Sequence, residues 1–365
     1  MLLRCFTLFL WAVLPLAAAE ARTRNLVLVT LDGLRWQELF TGIDAALMNE
    51  KETGMRDAQA LREQLWHADP RERRERLMPF FWKRLAGRGV VLGNPARSSA
   101  VSVTNAYRVS YPGYSEILTG RAQDEVIRGN AKIQNPTETV LEFLRRKLAL
   151  EPSQVALFAS WEVFRWIGER RPGSIFINAG YQAAEGRWVT PRIAELSRLQ
   201  FELLTPWDAA RHDAITYEMA LDYLKSVQPR VLCLALDETD DWAHSRRYDR
   251  VLESIRIFDR WLEKLIDTLE SLPAYRGSTS IVITGDHGRG GTLEDWHGHG
   301  AKVAGAERIW AAVFGPDTPA TGEAANTPDS FQRDIAPTML DLLGIDYEEY
   351  TGVAGRPIPA ARKRD

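Results

Sequence analysis

Six histidines occur in this 365-residue chain, and three of them, His287, His297 and His299, fall in ITGDHGRGGTLEDWHGHG, Ile283 to Gly300. Asp286, Glu294 and Asp295 stand among them. Imidazole nitrogens and carboxylate oxygens at this density suit a metal ion, but ligands so close in sequence rarely complete a site. The remaining ligands must come from elsewhere in the chain. DETDDWAH, 237–244, offers the same chemistry: Asp240 and His244 are four apart, so on a helical turn they face the same way. With His297 or His299 they make a three-ligand set that leaves a position open. Asp32, at the end of NLVLVTLDG, joins Asp286 and His287 in a second set. Mixed carboxylate and imidazole ligands suit zinc, ahead of manganese or magnesium. Two such ions about 4 Å apart clamp the attacking and leaving oxygens of an in-line displacement at phosphorus.

That chemistry needs a nucleophile, and RVSYPGYSEILTG, 108–120, contains one. Ser110 precedes a Tyr-Pro-Gly turn, after which YSEILTG reads as the first turns of a helix. Its hydroxyl would lie near a helix N-terminus, where amides and dipole favour an anion. A metal on its oxygen would lower its pKa and replace a general base. An ordinary capping serine is the competing reading of Ser110 taken alone.

These residues must be brought together by the elements that carry them. Four apolar runs rich in β-branched residues stand out at 25–33, 154–160, 230–241 and 279–288. Short continuous apolar runs separated by helical patterns mark strands buried on both faces of a mostly parallel sheet. Helical periodicity is clear at 138–150, 213–227 and 247–271, where Val251, Leu252, Ile255, Phe258, Leu262, Leu265, Ile266 and Leu269 recur at helical spacing. The class is α/β. Acidic residues just past strand carboxyl ends lie where an open α/β sheet places its ligand, so Asp32, Asp237 or Asp240, and Asp286 can converge. Strand-end aspartates are more often turn formers or caps, but three of them beside clustered histidines carry more weight.

The bulk properties agree with an enzyme of small substrates. The chain is 45% apolar and 26% charged, and a net charge of −3 leaves no electrostatic footprint for nucleic acid. The first twenty residues read as a secretory signal peptide, with Arg4, an apolar stretch from Leu8 to Leu16 and small residues after it. The mature protein, 21–365, is then an exported, periplasmic or secreted, single domain. Cys5 lies in the leader and Cys233 in an apolar run, so the mature chain forms no internal disulfide. A charged helical insertion is expected around 45–80, and GRGG, 288–291, reads as a mobile loop or a tight turn.

Taken together, VTLDGLRW, VSYPGYSEILTG, DETDDWAH, ITGDHG and the following histidine resemble, in order and spacing, the alkaline phosphatase superfamily, especially its nucleotide pyrophosphatase/phosphodiesterase-like branch. The resemblance covers nearly the whole mature chain, and FQRDIAPTMLDLLGI, 331–345, resembles a C-terminal helix common in that superfamily. It implies a three-layer α/β/α sandwich with a mixed, mostly parallel central sheet and two divalent metal ions, usually zinc, at the strand carboxyl ends. It implies that Asp32, Ser110, Asp286 and His287 hold one ion. Asp240, His244 and His299 hold the other, His299 being preferred to His297 because similar sequences carry W-x-x-H-G, with Trp296 setting the spacing. Ser110 is the implied nucleophile, and Asn130 an implied donor to a phosphoryl oxygen, with Asn135 as the spare candidate.

The implied activity is hydrolysis of a small-molecule phosphate ester through a phosphoserine. Tyr114 stands where sulfatases of the superfamily have the arginine of C/S-x-P-x-R, which disfavours a sulfatase. No Lys-x-Arg phosphate clamp is evident, with Arg108, Arg121, Arg128 and Arg165 as the candidate substitutes, so a diester is slightly favoured over a monoester. The alternatives are a phosphatase, a phosphonate hydrolase or a transferase with the same two ions, and, from another class, an inactive metal-binding module. Trp161, Trp166, Trp242 and Trp296 either form an aromatic wall for the substrate or pack the core.

Overall fold

The computed structural model describes residues 22–48 and 50–363, and the expected signal peptide lies outside the described residues. Among the described residues eleven strands are formed: β1 (Asn25–Leu31), β2 (Gly89–Leu92), β3 (Val101–Ser102), β4 (Val155–Ala159), β5 (Phe176–Ala179), β6 (Val231–Leu236), β7 (Thr279–Thr284), β8 (Arg308–Ile309), β9 (Ala311–Phe314), β10 (Gly322–Glu323) and β11 (Ser330–Phe331). Eight of them make one sheet in the order β10-β2-β9-β7-β1-β6-β4-β5, and β11-β3-β8 form a small second sheet. From β7 to β5 the strands are parallel, and β9 joins that block antiparallel.

The apolar runs are strands because both their faces are covered. Alternate side chains point to opposite sides of a sheet. In β1, Val27, Val29 and Leu31 enter one core, and Leu26 and Leu28 enter the other. β6 divides the same way, Leu232, Leu234 and Leu236 against Val231, Cys233 and Ala235. Helices 213–226 and 248–271 supply apolar side chains to the first core; helices 110–119, 140–147 and 335–342 supply the second. The result is the three-layer α/β/α sandwich. Cys233 is 1% exposed, and burial pushes its thiol up to about 12.

Helix 248–271 follows the sequence periodicity closely, with Ile255 and Leu252 fully buried. The charged segment contributes short helices Ala58–Leu65 and Pro70–Leu77, each opened by an aspartate whose carboxylate accepts a backbone N–H of the first turn. Arg74 is not solvated: its guanidinium lies 3.6 Å from the Trp82 ring centre and pairs with Glu323. No helix among the described residues is long and apolar enough to cross a membrane.

Strand register positions the site. Leu31 of β1 is level with Leu236 of β6, and Thr30 with Thr284 of β7. The chain therefore leaves three adjacent parallel strands at one height, and Asp32, Asp237 and Asp286 follow within two residues of those ends.

Candidate active site

Asp32, Asp286 and His287 come together as one group able to hold a metal ion, and Asp240, His287 and His299 as another. His287 lies at their junction. Its Nε2 is 3.3 Å from Asp32 Oδ1, 3.3 Å from Asp286 Oδ2 and 3.8 Å from Asp240 Oδ1. Its Nδ1 lies 3.1 Å from the Gly288 carbonyl, which places the ring proton there and leaves Nε2 with a lone pair. His299 is arranged alike, with Nδ1 3.1 Å from the Arg108 carbonyl and its ring stacked on His287 at 3.8 Å. His244 stands beside the second group, its Nε2 3.0 Å from both Asp240 Oδ2 and His299 Nε2. His297 belongs to neither group; its ring meets Trp296 at right angles.

The donor set fits cations. Both oxygens of Asp32 and Oδ2 of Asp286 are buried without a hydrogen-bond partner. Buried carboxylate oxygens with no donor are costly unless a cation meets them. Burial raises the Asp32 carboxyl to about 7, reinforced by the facing Asp286, and burial raises Asp286 to about 7 as well. Burial also keeps His287 and His299 below the usual imidazole range, so both rings are neutral lone-pair donors.

Ser110 is the first residue of helix Ser110–Thr119, so Tyr111, Pro112 and Gly113 form its first turn instead of a turn before it. Proline fits there because the first amides of a helix have no internal partner. Ser110 Oγ lies 3.4 Å from His287 Nε2. The helix is seated directly on the metal group: a Cβ at Gly113 would fall 2.3 Å from the Asp286 carbonyl oxygen. Asn130 Oδ1 accepts from the Tyr111 N–H at 3.0 Å, which leaves its Nδ2 free. Asn135 is elsewhere, buried, donating to the Ile167 carbonyl and accepting from the Thr137 N–H.

A cavity of about 250 Å³ opens over this group, lined by Ser110, Asn130, Asp240, His244 and His299, with Trp161, Trp207, Asp208, Asp237 and Asp241 on its walls. Arg108 pairs with Glu307, Arg121 donates to Thr137, and Arg165 lies over Trp166; none of them lines the cavity. Trp161 does line it, whereas Trp296 is core, packed on Tyr248, and Trp242 backs Trp207 edge-on at 4.8 Å.

Several participants escape a reading of motifs. Trp207 sits in a loop without periodicity, brought to the site by the bridge between Trp161 and Ala210. Asp213 begins the helix Asp213–Ser226, and its carboxylate accepts from the N–H groups of Asp237 at 2.9 Å and Glu238 at 3.0 Å. It thereby fixes the turn that starts helix Glu238–His244, the bearer of Asp240 and His244. The 288–291 segment is not a mobile loop at its start: Gly288, Arg289 and Gly290 are buried. A Cβ on Gly288 would lie 2.3 Å from the Arg308 carbonyl oxygen, so glycine serves close packing there.

A wide, mostly parallel α/β sandwich with acids and imidazoles at its strand carboxyl ends is a fold shared with a solved protein of the alkaline phosphatase superfamily from Vibrio parahaemolyticus, 14% identical with a TM-score of 0.51, covering 93% of this chain and 71% of its own. The family model named Sulfatase matches residues 24–345, and the chain belongs to that family. Among solved structures, an alkaline phosphatase is 12% identical with a TM-score of 0.56, covering 95% of this chain and 100% of its own. A phosphonate monoester hydrolase from Silicibacter pomeroyi is 14% identical with a TM-score of 0.53, covering 92% of this chain and 76% of its own. Identities this low establish the shared fold alone. Among curated proteins, a 2,3-bisphosphoglycerate-independent phosphoglycerate mutase of Halobacterium salinarum is 33% identical over 130 residues, 35% of this chain and 24% of the mutase. The chain thus spans about a quarter of the length of that relative.

Proposed function

We propose that this protein is an exported, single-domain hydrolase of small phosphate esters, phosphodiesters ahead of monoesters, with Ser110 as the nucleophile. The observation that carries the reading is Ser110, a cavity-lining residue at a helix N-terminus, whose Oγ lies 3.4 Å from His287 Nε2, itself 3.3 Å from the unpartnered Asp32 Oδ1 and Asp286 Oδ2. Two divalent ions, zinc first, held by Asp32, Asp286 and His287 with Ser110 beside them, and by Asp240, His244 and His299, would supply Lewis acidity at the phosphoryl oxygens and a lowered hydroxyl pKa. Ser110 Oγ gives up its proton and attacks phosphorus, the Oγ–P bond forms as the ester P–O bond breaks, and the departing alkoxide takes up one proton, so the step is proton-neutral. Asn130 Nδ2 donates to a non-bridging oxygen, and its Oδ1 bond to Tyr111 aims it. Water then cleaves the phosphoserine and restores Ser110.

The preference for a diester follows from the walls. No lysine or arginine stands among the described lining residues, while Asp208, Asp237 and Asp241 do. A monoester carries a second negative charge, and no lysine or arginine of this lining is placed to neutralise it.

The test is a substrate panel on zinc-loaded protein, before and after chelation: bis(p-nitrophenyl) phosphate, p-nitrophenyl phosphate, a phenylphosphonate ester and p-nitrophenyl sulfate. The diester should be turned over fastest, with loss on chelation. Faster phosphonate cleavage would favour the second reading, a phosphonate hydrolase, for which the Silicibacter pomeroyi enzyme is a structural neighbour. Inertness of the metal-loaded protein toward all four would refute hydrolysis.

A further inference from the structure

Arg289 is a large cation sealed beneath the candidate metal centre. It follows the Asp286-His287-Gly288 run and is 2% exposed. Its guanidinium pairs with Asp240 Oδ1, the oxygen that also faces His287 at 3.8 Å and His299 at 3.9 Å. Nη2 donates to the Asp240 backbone carbonyl at 3.1 Å, and Nη1 to the His297 carbonyl. Gly33 closes the other side: a Cβ there would fall 2.6 Å from Asp240 Oδ1 and 2.7 Å from Arg289 Nε. One planar group therefore binds both helix 238–244 and the 297–299 loop.

The two candidate groups differ in what assembles them. Asp32, Asp286 and His287 stand at the ends of β1 and β7, whose pairing sets their separation. Asp240 and His244 lie on a short helix and His299 on a loop, and no strand pairing joins those segments. Asp213 fixes the start of the helix, but it does not reach the loop. Arg289 alone among the described side chains donates to the backbone of both segments.

We propose that Arg289 is a positioning residue for the second ion: it brings Asp240 and the His299 loop into ligating arrangement, and the ion at Asp240, His244 and His299 depends on it more than the ion at Asp32, Asp286 and His287, whose side chains accept no hydrogen bond from it. This rests on the two-ion reading above. A planar fork that reaches two carbonyls and a carboxylate at once is a task lysine cannot reproduce. Groups that orient metal ligands typically change affinity by about 10- to 100-fold when removed.

The experiment measures metal content and affinity, not turnover. Wild type, Arg289→Met and Arg289→Lys are stripped with chelator, reloaded with zinc, and measured for zinc per chain and for each dissociation constant by competition with a chromophoric chelator. Cobalt loading gives a visible spectrum that separates the two environments. Wild type should hold two ions. Arg289→Met should keep one near wild-type affinity and bind the other about 10- to 100-fold more weakly, with loss of one set of cobalt bands. Arg289→Lys should fall between, and it serves where Arg289→Met does not fold. Two ions bound unchanged in the variants, tighter binding of the second ion, or loss of both ions together would overturn the proposal. A wild type that binds fewer than two ions would instead defeat the two-ion reading itself, and the proposal with it.

Discussion

Protein stripped of metal should bind zinc with an affinity that climbs steeply between pH 6 and pH 8. Burial raises the Asp32 and Asp286 carboxyls from 3.8 to about 7. At pH 6 each is then about nine-tenths protonated, and an ion must displace those protons. Apparent affinity should fall about tenfold per carboxyl between pH 8 and pH 6, up to about 100-fold for the pair, and change little above pH 8. Burial holds His287 and His299 below the usual imidazole range, so protons compete for them less than for an ordinary histidine. Stability of the stripped protein has the opposite slope. The folded carboxyls keep protons that the unfolded chain releases between about pH 4 and pH 7, so stability is highest below that range and falls as pH rises through it. The upper bound is about 4 kcal/mol per carboxyl, from a shift of about three pKa units. Chelator competition at pH 6, 7 and 8, corrected for chelator protonation, measures the first effect; thermal melts of stripped protein measure the second. Zinc affinities at pH 6 and pH 8 that agree within about twofold would refute the buried, facing carboxyls as the ion's seat.

Ser110→Ala should lower turnover of the best diester by at least about 1,000-fold while zinc content stays near wild type, so full activity would remove Ser110 from the reaction. Asn130→Ala should lower kcat by about 100-fold with little change in melting temperature, whereas Asn135→Ala should chiefly lower the melting temperature; the reverse pattern would exchange their roles. Gly288→Ala should destabilise the fold by about 1 to 3 kcal/mol, read by denaturant melts, because its Cβ has no room beside the Arg308 and Gly305 carbonyls. An unchanged midpoint would mean that the strand end gives way freely.

The architecture was legible where burial dictates sequence. Strands β1, β4, β6 and β7 are covered on both faces, so they read as unbroken apolar runs, and the aspartates after β1, β6 and β7 mark where they stop. β9, Ala311–Phe314, escaped because four residues with two alanines carry little pattern. Candidate site residues inside compact motifs, such as Asp286 and His287, could be named from spacing and family likeness. Arg289 could not, since a lone arginine between glycines reads as solvated until the carbonyls around it are known. Trp207 and Asp213 were invisible for a related reason: their roles arise from chain segments that meet only after folding.

The contact between Gly113 and Asp286 divides the cavity into two halves with different freedom to change. On that side, backbone touches backbone, and even a methyl group has no space. The facing side, around Trp207 and Asp208, is loop, and Asp208 is exposed. On the proposed hydrolysis, substitutions accumulating over time can therefore rewrite which ester fits without disturbing the atoms that would break it. Libraries aimed at new substrates belong in residues 205–210, with the glycine seam left alone.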